Sequence, residues 1–253
     1  MSRLHLLIIF CFLPLLTWGH LNSKEQPFFI GPYSLAKQHT EKHRSHYSIR
    51  VSYPQIKSNN LQTASINDTV QKIINQQKQA FIKKVQQMKK MAPHLPQTGQ
   101  DTYLKIRYEI VDFTPHILSV RFIIKQNFHG THPSFSYQTL NYALKKQQPI
   151  ELAHVFKKKS PYLKRISQFC RKVLKKRLLH SPINNKALEQ NIVKGTSPKA
   201  KNFTHWNFSP KGLLIYFPAY PVAPNVHGPQ AVLIPRQVYQ DLLSHGDENA
   251  FIE

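Results

Sequence analysis

The feature that most constrains the fold is a strict alternation of apolar and polar residues on either side of a turn predicted at Thr114 and Pro115. A period of two residues is typical of a β-strand that buries one face. The two runs therefore predict an antiparallel hairpin with a single buried face. Its buried positions are Leu104, Ile106, Tyr108 and Ile110 before the turn, and Leu118, Val120, Phe122 and Ile124 after it.

Other segments show the same patterns less completely. Strands are predicted at residues 47–53, ending at Pro54, at 135–144, at 203–208 and 213–217 around a tight turn, and at 231–234. Apolar residues at helical spacing predict two long helices, one capped by Ser65 and one that follows Ser160 and Pro161. Short helices are expected at 151–156 and 236–243. Because strands and helices occur in blocks, we predict an α+β fold, a mostly antiparallel sheet packed against two long helices.

The N-terminus has the features of an export signal. Arg3 precedes an apolar run from Leu6 to Leu16, and small residues at Thr17 and Gly19 predict cleavage after Gly19. The alternative is an uncleaved membrane anchor, although the run is short for a bilayer span. The predicted organisation is a signal peptide (1–19), a polar leader (20–46), an N-terminal α+β subdomain (47–128), a C-terminal α+β subdomain (129–245) and an acidic tail (246–253). The expected location is periplasmic or secreted, with no membrane span after signal removal.

The chain has 253 residues and a formal charge of +23, from 35 Lys and Arg against 12 Asp and Glu. The cations concentrate on the outer faces of the two long helices, where few acids are available to pair with them. This favours an anionic partner, and we predict an electrostatic surface formed by Lys172, Lys175, Lys176 and Arg177. Nucleic acid is less favoured than an acidic glycan, lipopolysaccharide or anionic membrane surface, because no nucleic-acid-binding module is recognised.

The sequence contains none of the motifs that pair a nucleophile, a metal or a phosphate with a definite geometry. Three histidines, His129, His132 and His227, are candidates for a metal site. Hydrogen-bonded loop histidines, or a donor in a ligand pocket, are the favoured interpretation. No catalytic residue and no cofactor are therefore predicted. Cys170, on the apolar side of the second helix, is expected to be a buried structural thiol.

Several short segments in a fixed order resemble a known family. They are Tyr53-Pro54, Ile66-Asn67, His129-Gly130-Thr131-His132-Pro133, Thr139-Leu140-Asn141-Tyr142, Ile150-Glu151-Leu152, Val155-Phe156, Asn202-Phe203, Gly212-Leu213, Tyr220-Pro221-Val222-Ala223-Pro224 and Gly228. Together they are similar to the extracellular domain pair of unknown function shared by RsiV-type anti-sigma factors and the N-terminal region of PdaC-type peptidoglycan deacetylases. The resemblance implies a cell-envelope α+β domain whose own residues have no established catalytic role. The family usually has a glycine where this chain has His129, so at this turn the resemblance extends only to Gly130 and His132.

The predicted function is that of an exported, non-catalytic binding domain for cell-envelope glycan or another anionic envelope ligand. The predicted ligand-binding residues are Gly130, His132, Tyr220, Pro224, Asn225 and Gly228, in the two loops that the family pattern marks. One alternative is a metal-assisted hydrolase using the three histidines. Another is a secreted protein-binding module of the lysozyme-inhibitor or effector type. Lysozyme itself is disfavoured as a partner, because typical lysozymes are cationic and like charges repel across an interface.

Overall fold

The structure, a computed structural model, describes residues 28–59, 61–91, 102–128, 132–179 and 186–244. The predicted signal peptide and acidic tail lie outside these residues. No helix within the described ranges is both long and apolar enough to span a membrane.

A seven-stranded sheet is the larger of two sheets. Its strands lie side by side in chain order: β1 (Phe28–Ile30), β2 (Tyr33–Arg44), β3 (Tyr47–Ser58), β4 (Thr102–Phe113), β5 (Ile117–Phe128), β6 (Ser134–Ala143) and β7 (Gln148–Pro149). All neighbours are antiparallel except β3 and β4, which are parallel. A parallel pair needs a crossover connection, and helix α1 (Ala64–Met91) lies within this one. The hairpin predicted around Thr114 and Pro115 is confirmed as β4 and β5.

Helix α1 covers one face of this sheet, called the inner face here. Its apolar stripe repeats every three to four residues and buries Ile66, Val70, Ile74, Phe81 and Val85. These side chains form one hydrophobic core with the inner residues of the strands, among them Leu104, Ile106, Val120, Phe122 and Ile124. The alternation seen in the sequence therefore points its apolar residues toward α1.

A one-residue bulge aligns β4 with β5. Near the turn Phe113 pairs with Leu118, but beyond the bulge Ile110 pairs with Val120, which leaves Val111 as the extra residue. Because a one-residue slip moves every side chain to the opposite face, the bulge brings the apolar sets of both strands onto the inner face. It also brings their polar sets together on the opposite, outer face.

A second layer contains a three-stranded antiparallel sheet and two helices. The sheet has the order β10 (Gln230–Pro235), β9 (Gly212–Phe217), β8 (Trp206–Ser209), and the helices are α2 (Tyr162–Leu178) and α3 (Lys186–Gly195). Among the described residues, five short 3₁₀ turns accompany them, at Leu152–Val155, Ala200–Phe203, Asn225–His227, Arg236–Val238 and Gln240–Leu242. Ile166, Cys170 and Leu174 of α2 pack with Ile192 of α3 and Ile215 of β9 in a second hydrophobic core.

Buried hydrogen bonds hold the second layer on the outer face of the large sheet. Strand β8 lies against β4, β5 and β6. The Asn207 side-chain amide donates to Ser119 Oγ at 3.0 Å and to the Val120 carbonyl at 3.1 Å, and Asn141 Nδ2 donates to the Trp206 carbonyl at 2.9 Å. The second layer thus covers the half of the outer face that contains Ser119 and Asn141. The other half, toward Phe128, contains exposed side chains.

The described fold is α+β, as predicted, but it differs from the prediction in detail. The strands form two sheets instead of one, and three α-helices are described, of which α1 and α2 are the long ones. Helix α3 was not predicted, since its ten residues contain only a short apolar stripe. The predicted terminal helix at 236–243 forms two 3₁₀ turns instead.

Three local expectations near the N-terminus also differ. Residues 28–44, within the predicted polar leader, form β1 and β2; β2 has no apolar alternation after Leu35, because its later residues face solvent. Strand β3 continues past Pro54 to Ser58, because its pairing with β4 ends at Val51 and a proline is tolerated where one edge is free. Ser65 lies inside the first turn of α1, where its hydroxyl lies 2.7 Å from that of Tyr142 and does not cap the helix.

Candidate functional site

The structure describes only part of the predicted histidine cluster. His132 precedes β6 and His227 lies between β9 and β10, and both are exposed. His129 and Gly130 lie outside the described residues. In the described ranges, no three His, Cys, Asp or Glu side chains converge in a way that could hold a metal ion.

The predicted loop between β9 and β10 has an unusual backbone. Tyr220 is 70% exposed and has a φ of +83°, a conformation that is costly for a bulky residue, and its N–H donates to the Ala223 carbonyl at 2.8 Å. Gly228 has a φ of +63°, which explains a glycine there. Pro224 is exposed, and the Asn225 side chain is not described. A ligand-binding role for these residues stays a prediction.

The four predicted surface cations on α2 divide into two pairs. Lys175 forms an ion pair with Glu189 of α3, and Arg177 donates to the Ala231 carbonyl at 2.8 Å. Both side chains therefore hold α2 to its neighbours. Lys172 and Lys176 are exposed, so they are the members of the predicted electrostatic surface that face solvent.

A recess of about 320 Å³ opens where β6 and β7 meet the second layer. Its lining combines ring, hydroxyl and carboxylate groups, from Thr139, Glu151, Tyr162, Thr204 and Trp206. The Tyr162 ring stacks on Phe156 with centroids 4.5 Å apart, and the Trp206 backbone N–H donates to Thr139 Oγ1 at 3.2 Å. We call this recess the groove. A mixture of rings and a few oriented polar groups is typical of small-ligand sites.

A second recess of about 420 Å³ adjoins the groove and shares Pro149 and Ile150 with it. Its lining includes Lys146, His154 and Lys158. The two recesses together place a mostly apolar surface with a few hydroxyl groups and one carboxylate beside a basic one. None of these residues was among the predicted site residues, although Thr139, Ile150 and Glu151 belong to the segments that carry the family resemblance.

The uncovered half of the outer face of the large sheet contains a mixture of cations and rings. Arg50, Lys105 and Lys125 are cross-strand partners on β3, β4 and β5, so three cations occupy one row. Lys105 Nζ lies 4.9 Å from the centroid of the Tyr103 ring, and Lys125 Nζ lies 5.5 Å from that of Phe135. We call the row of three the cation row, and the surface formed by Tyr103, Lys105, Arg107, Lys125, Phe135 and Tyr137 the open face.

Arg121 marks the border between the open face and the second layer. Its guanidinium lies 4.7 Å from the centroid of the Tyr216 ring on β9 and 5.5 Å from that of Tyr137, and it forms an ion pair with Glu109. Burial raises the pKa of both tyrosines. These phenols therefore stay neutral at physiological pH.

The alternation in the sequence contained a signal for the open face. Lys105, Arg107 and Lys125 occupy polar positions of the predicted hairpin, so the sequence could have predicted that they share one face of it. The pairing of Lys105 with Lys125 depends on the bulge at Val111, which no turn or glycine in the sequence marks. Phe135 and Tyr137 join the face only through the register of β6.

Comparison with known proteins relates the chain to two families along its length. Residues 40–135 match the family described as Deacetylase PdaC, and residues 153–237 match a protein family of unknown function, DUF3298. The peptidoglycan-N-acetylmuramic acid deacetylase PdaC of Bacillus subtilis (strain 168) is 27% identical over 164 residues. That match covers 64% of this chain and 34% of the relative, so the chain spans about a third of that protein.

Two crystal structures of DUF3298 family proteins share the fold. The protein from Bacteroides fragilis NCTC 9343 has a TM-score of 0.59 at 14% identity, covering 83% of this chain and 94% of its own. The one from Pseudomonas aeruginosa PAO1 has a TM-score of 0.56 at 10% identity, covering 85% and 95%. The resemblance predicted from the short segments is thus confirmed: the chain combines a PdaC-type region with a DUF3298-type region, in that order.

Proposed function

We propose that this protein is an exported, non-catalytic binding domain for cell-envelope glycan, located in the periplasm or secreted. The observation that carries the proposal is the groove, in which Tyr162 and the hydroxyls of Thr139 and Thr204 surround a recess with a carboxylate, Glu151, at its rim. Sugars present hydroxyl groups and apolar faces together, and a site with this lining can contact both. The relation to a peptidoglycan deacetylase supports peptidoglycan as the glycan.

The basic recess beside the groove supports the choice of an acidic ligand. Peptidoglycan carries carboxylates on its peptides, and Lys146, His154 and Lys158 lie one recess away from the position proposed for a sugar ring. Charge-assisted hydrogen bonds to carboxylates are stronger than neutral ones. A glycan strand that enters the groove would therefore find cations for its acidic groups nearby.

Filling the groove tests the proposal. Ala153 lies at the rim, is exposed and lines the recess. In Ala153→Trp the indole occupies space that a sugar needs, while no buried contact is removed. We expect retention on purified peptidoglycan to fall about tenfold, measured as bound fraction in co-sedimentation.

Ala187→Trp is the matched control, because Ala187 is an exposed alanine on α3 that does not line the groove. It should bind like the natural sequence. The proposal is wrong if the natural protein is not retained on peptidoglycan at low salt, or if the two tryptophan variants bind equally well.

A further inference from the structure

We infer that the open face is the surface that binds the carboxylates of a peptidoglycan strand, as an extension of the groove. The inference rests on the proposed function and adds to it a second part of the site and the ligand group that this part contacts. Four features of the outer face carry it: the cation row, the two lysines of that row that form no described ion pair, the rings between the cations, and the continuity with the groove.

The cation row is an arrangement that folding alone does not favour. Lys105 and Lys125 stand directly opposite each other on β4 and β5, and Arg50 stands opposite Lys105 on β3. Like charges in directly opposite positions destabilise a sheet. With strands about 4.8 Å apart, three cations fall within about 10 Å. Glu41 pairs with Arg50, so the repulsion that lacks a described acidic partner is the one between Lys105 and Lys125, and an anionic ligand would reduce it.

The acids that form ion pairs on the outer face do so with arginines, one of which, Arg50, belongs to the cation row. Glu41 pairs with Arg50, whose hydrogen bond lowers the pKa of Glu41, and Glu109 pairs with Arg121. Within the described residues, no ion pair joins a carboxylate to Lys105, Arg107 or Lys125. These three cations are therefore available to an external carboxylate, and Arg107 is exposed on the same face.

Rings separate and orient the cations. Lys105 and Lys125 both lie near the Tyr103 ring, at 4.9 and 5.9 Å, and Lys125 also lies over Phe135, which is 46% exposed. Cation–π contacts of this kind hold the ammonium groups above the sheet without neutralising them. The exposed part of Phe135 offers an apolar surface for the face of a sugar ring.

Strand β6 connects the open face with the groove. Phe135, Tyr137 and Thr139 alternate with inward residues and therefore share the outer face, and Thr139 lines the groove. At about 3.3 Å per residue, the distance from Phe135 to Thr139 is about 13 Å. This distance is on the scale of a short oligosaccharide, so one glycan strand can contact both the open face and the groove.

The same features favour a glycan over nucleic acid. Single-stranded nucleic acid is bound by stacking successive bases on open aromatic faces. Here the ring of Tyr103 is approached by two lysines, and Tyr137 packs against Tyr216 and Arg121. The open face thus presents cations between rings and not a continuous platform for stacking. This arrangement suits a ligand with separated carboxylates.

The test compares two double variants that remove the same charge. Lys105→Gln/Lys125→Gln acts on the open face, and Lys83→Gln/Lys90→Gln acts on exposed positions of α1, on the other side of the sheet. Binding to purified peptidoglycan is measured at about 0.05 and 0.3 M salt. We expect about tenfold weaker binding and a weaker salt dependence for the first variant, with the second near the natural protein.

A second arm uses peptidoglycan whose carboxylates have been amidated. Relative to untreated peptidoglycan, the natural protein should bind it about tenfold more weakly, whereas the affinity of the Lys105→Gln/Lys125→Gln variant should change little. Thermal unfolding checks the fold of each variant, and Lys105→Gln/Lys125→Gln should unfold at an equal or higher temperature. Equal binding by both double variants overturns the inference, as does tighter binding to single-stranded DNA than to peptidoglycan. If the natural protein does not bind peptidoglycan at all, the proposed function itself fails.

Discussion

At the scale of single residues, burial decides which side chains are chemically available. It raises the pKa of the Cys170 thiol to about 12, and Cys170 is fully enclosed in the second core. A thiol of that kind is inert, because the thiolate is the nucleophile and the metal ligand. The prediction of a structural thiol is confirmed.

His205 gives a pH prediction at this scale. It precedes β8, its carbonyl accepts the Tyr216 N–H at 2.8 Å, and burial lowers its pKa below the usual 6.5. The His205 side chain therefore binds a proton more readily in the unfolded chain than in the folded one. Protonation of His205 does not reduce stability above about pH 6.5, and it lowers stability as the pH falls below that value. In His205→Gln, the drop in unfolding temperature between about pH 8 and pH 5.5 should be smaller than in the natural protein.

The comparison of the two pH profiles cancels the other histidines, which both proteins share. Tyr216 pairs with the backbone of residue 205, so that hydrogen bond is retained in the variant. An equal or steeper loss of stability in His205→Gln would contradict the assignment.

At the scale of elements, strand β8 holds the second layer on the sheet through buried polar groups. Asn207 is fully buried, and its amide nitrogen contacts the Ser119 hydroxyl and the Val120 carbonyl. Removing one member of such a network leaves the others without partners, which is costly in a buried setting.

Asn207→Ala should therefore lower the free energy of unfolding by about 1–3 kcal/mol, measured by urea denaturation. Asn191→Ala makes the same chemical change on α3, at a residue that is less buried than Asn207. Because alanine favours a helix, this substitution should leave stability nearly unchanged. Equal effects of the two substitutions would show that the network does not anchor β8.

The elements also show where sequence patterns suffice. In strands β4 and β5 and helices α1 and α2 the apolar period follows the buried face, so the prediction from period succeeds. Strand β6 is buried on both faces over its last four residues and was predicted from its aromatic and β-branched residues instead. Strand β2 has mostly exposed residues after Leu35, and α3 is short, so neither shows a clear period. The open face needed the bulge at Val111 and the register of three strand pairs, which are tertiary information.

At the scale of the whole molecule, the charge of +23 is distributed over several surfaces. The sequence placed it on the outer faces of the two long helices, but Lys175 and Arg177 of α2 bind neighbouring elements. The open face adds cations that lie on strands and are interleaved with rings. A specific anionic ligand fits that arrangement better than a diffuse positive field, which salt screens.

The two layers also explain why half of the outer face of the sheet is available. Helix α1 covers the inner face, and the second layer covers the half of the outer face near Ser119 and Asn141. The groove lies at the edge of that covered half, and the open face begins where it ends. The proposed site is thus formed by the large sheet and the second layer together, since Thr139 and the open face come from the sheet and Tyr162 and Thr204 from the second layer.

The most direct test of this account is a titration of isotope-labelled protein with soluble peptidoglycan fragments, followed by backbone amide chemical shifts. The account predicts that the largest shifts occur at residues 103–107, 123–127, 134–139 and 151–153, in the open face and the groove. Shifts concentrated in the loop at 220–228 or along α2, or no shifts at all with fragments that carry their carboxylates, would contradict it.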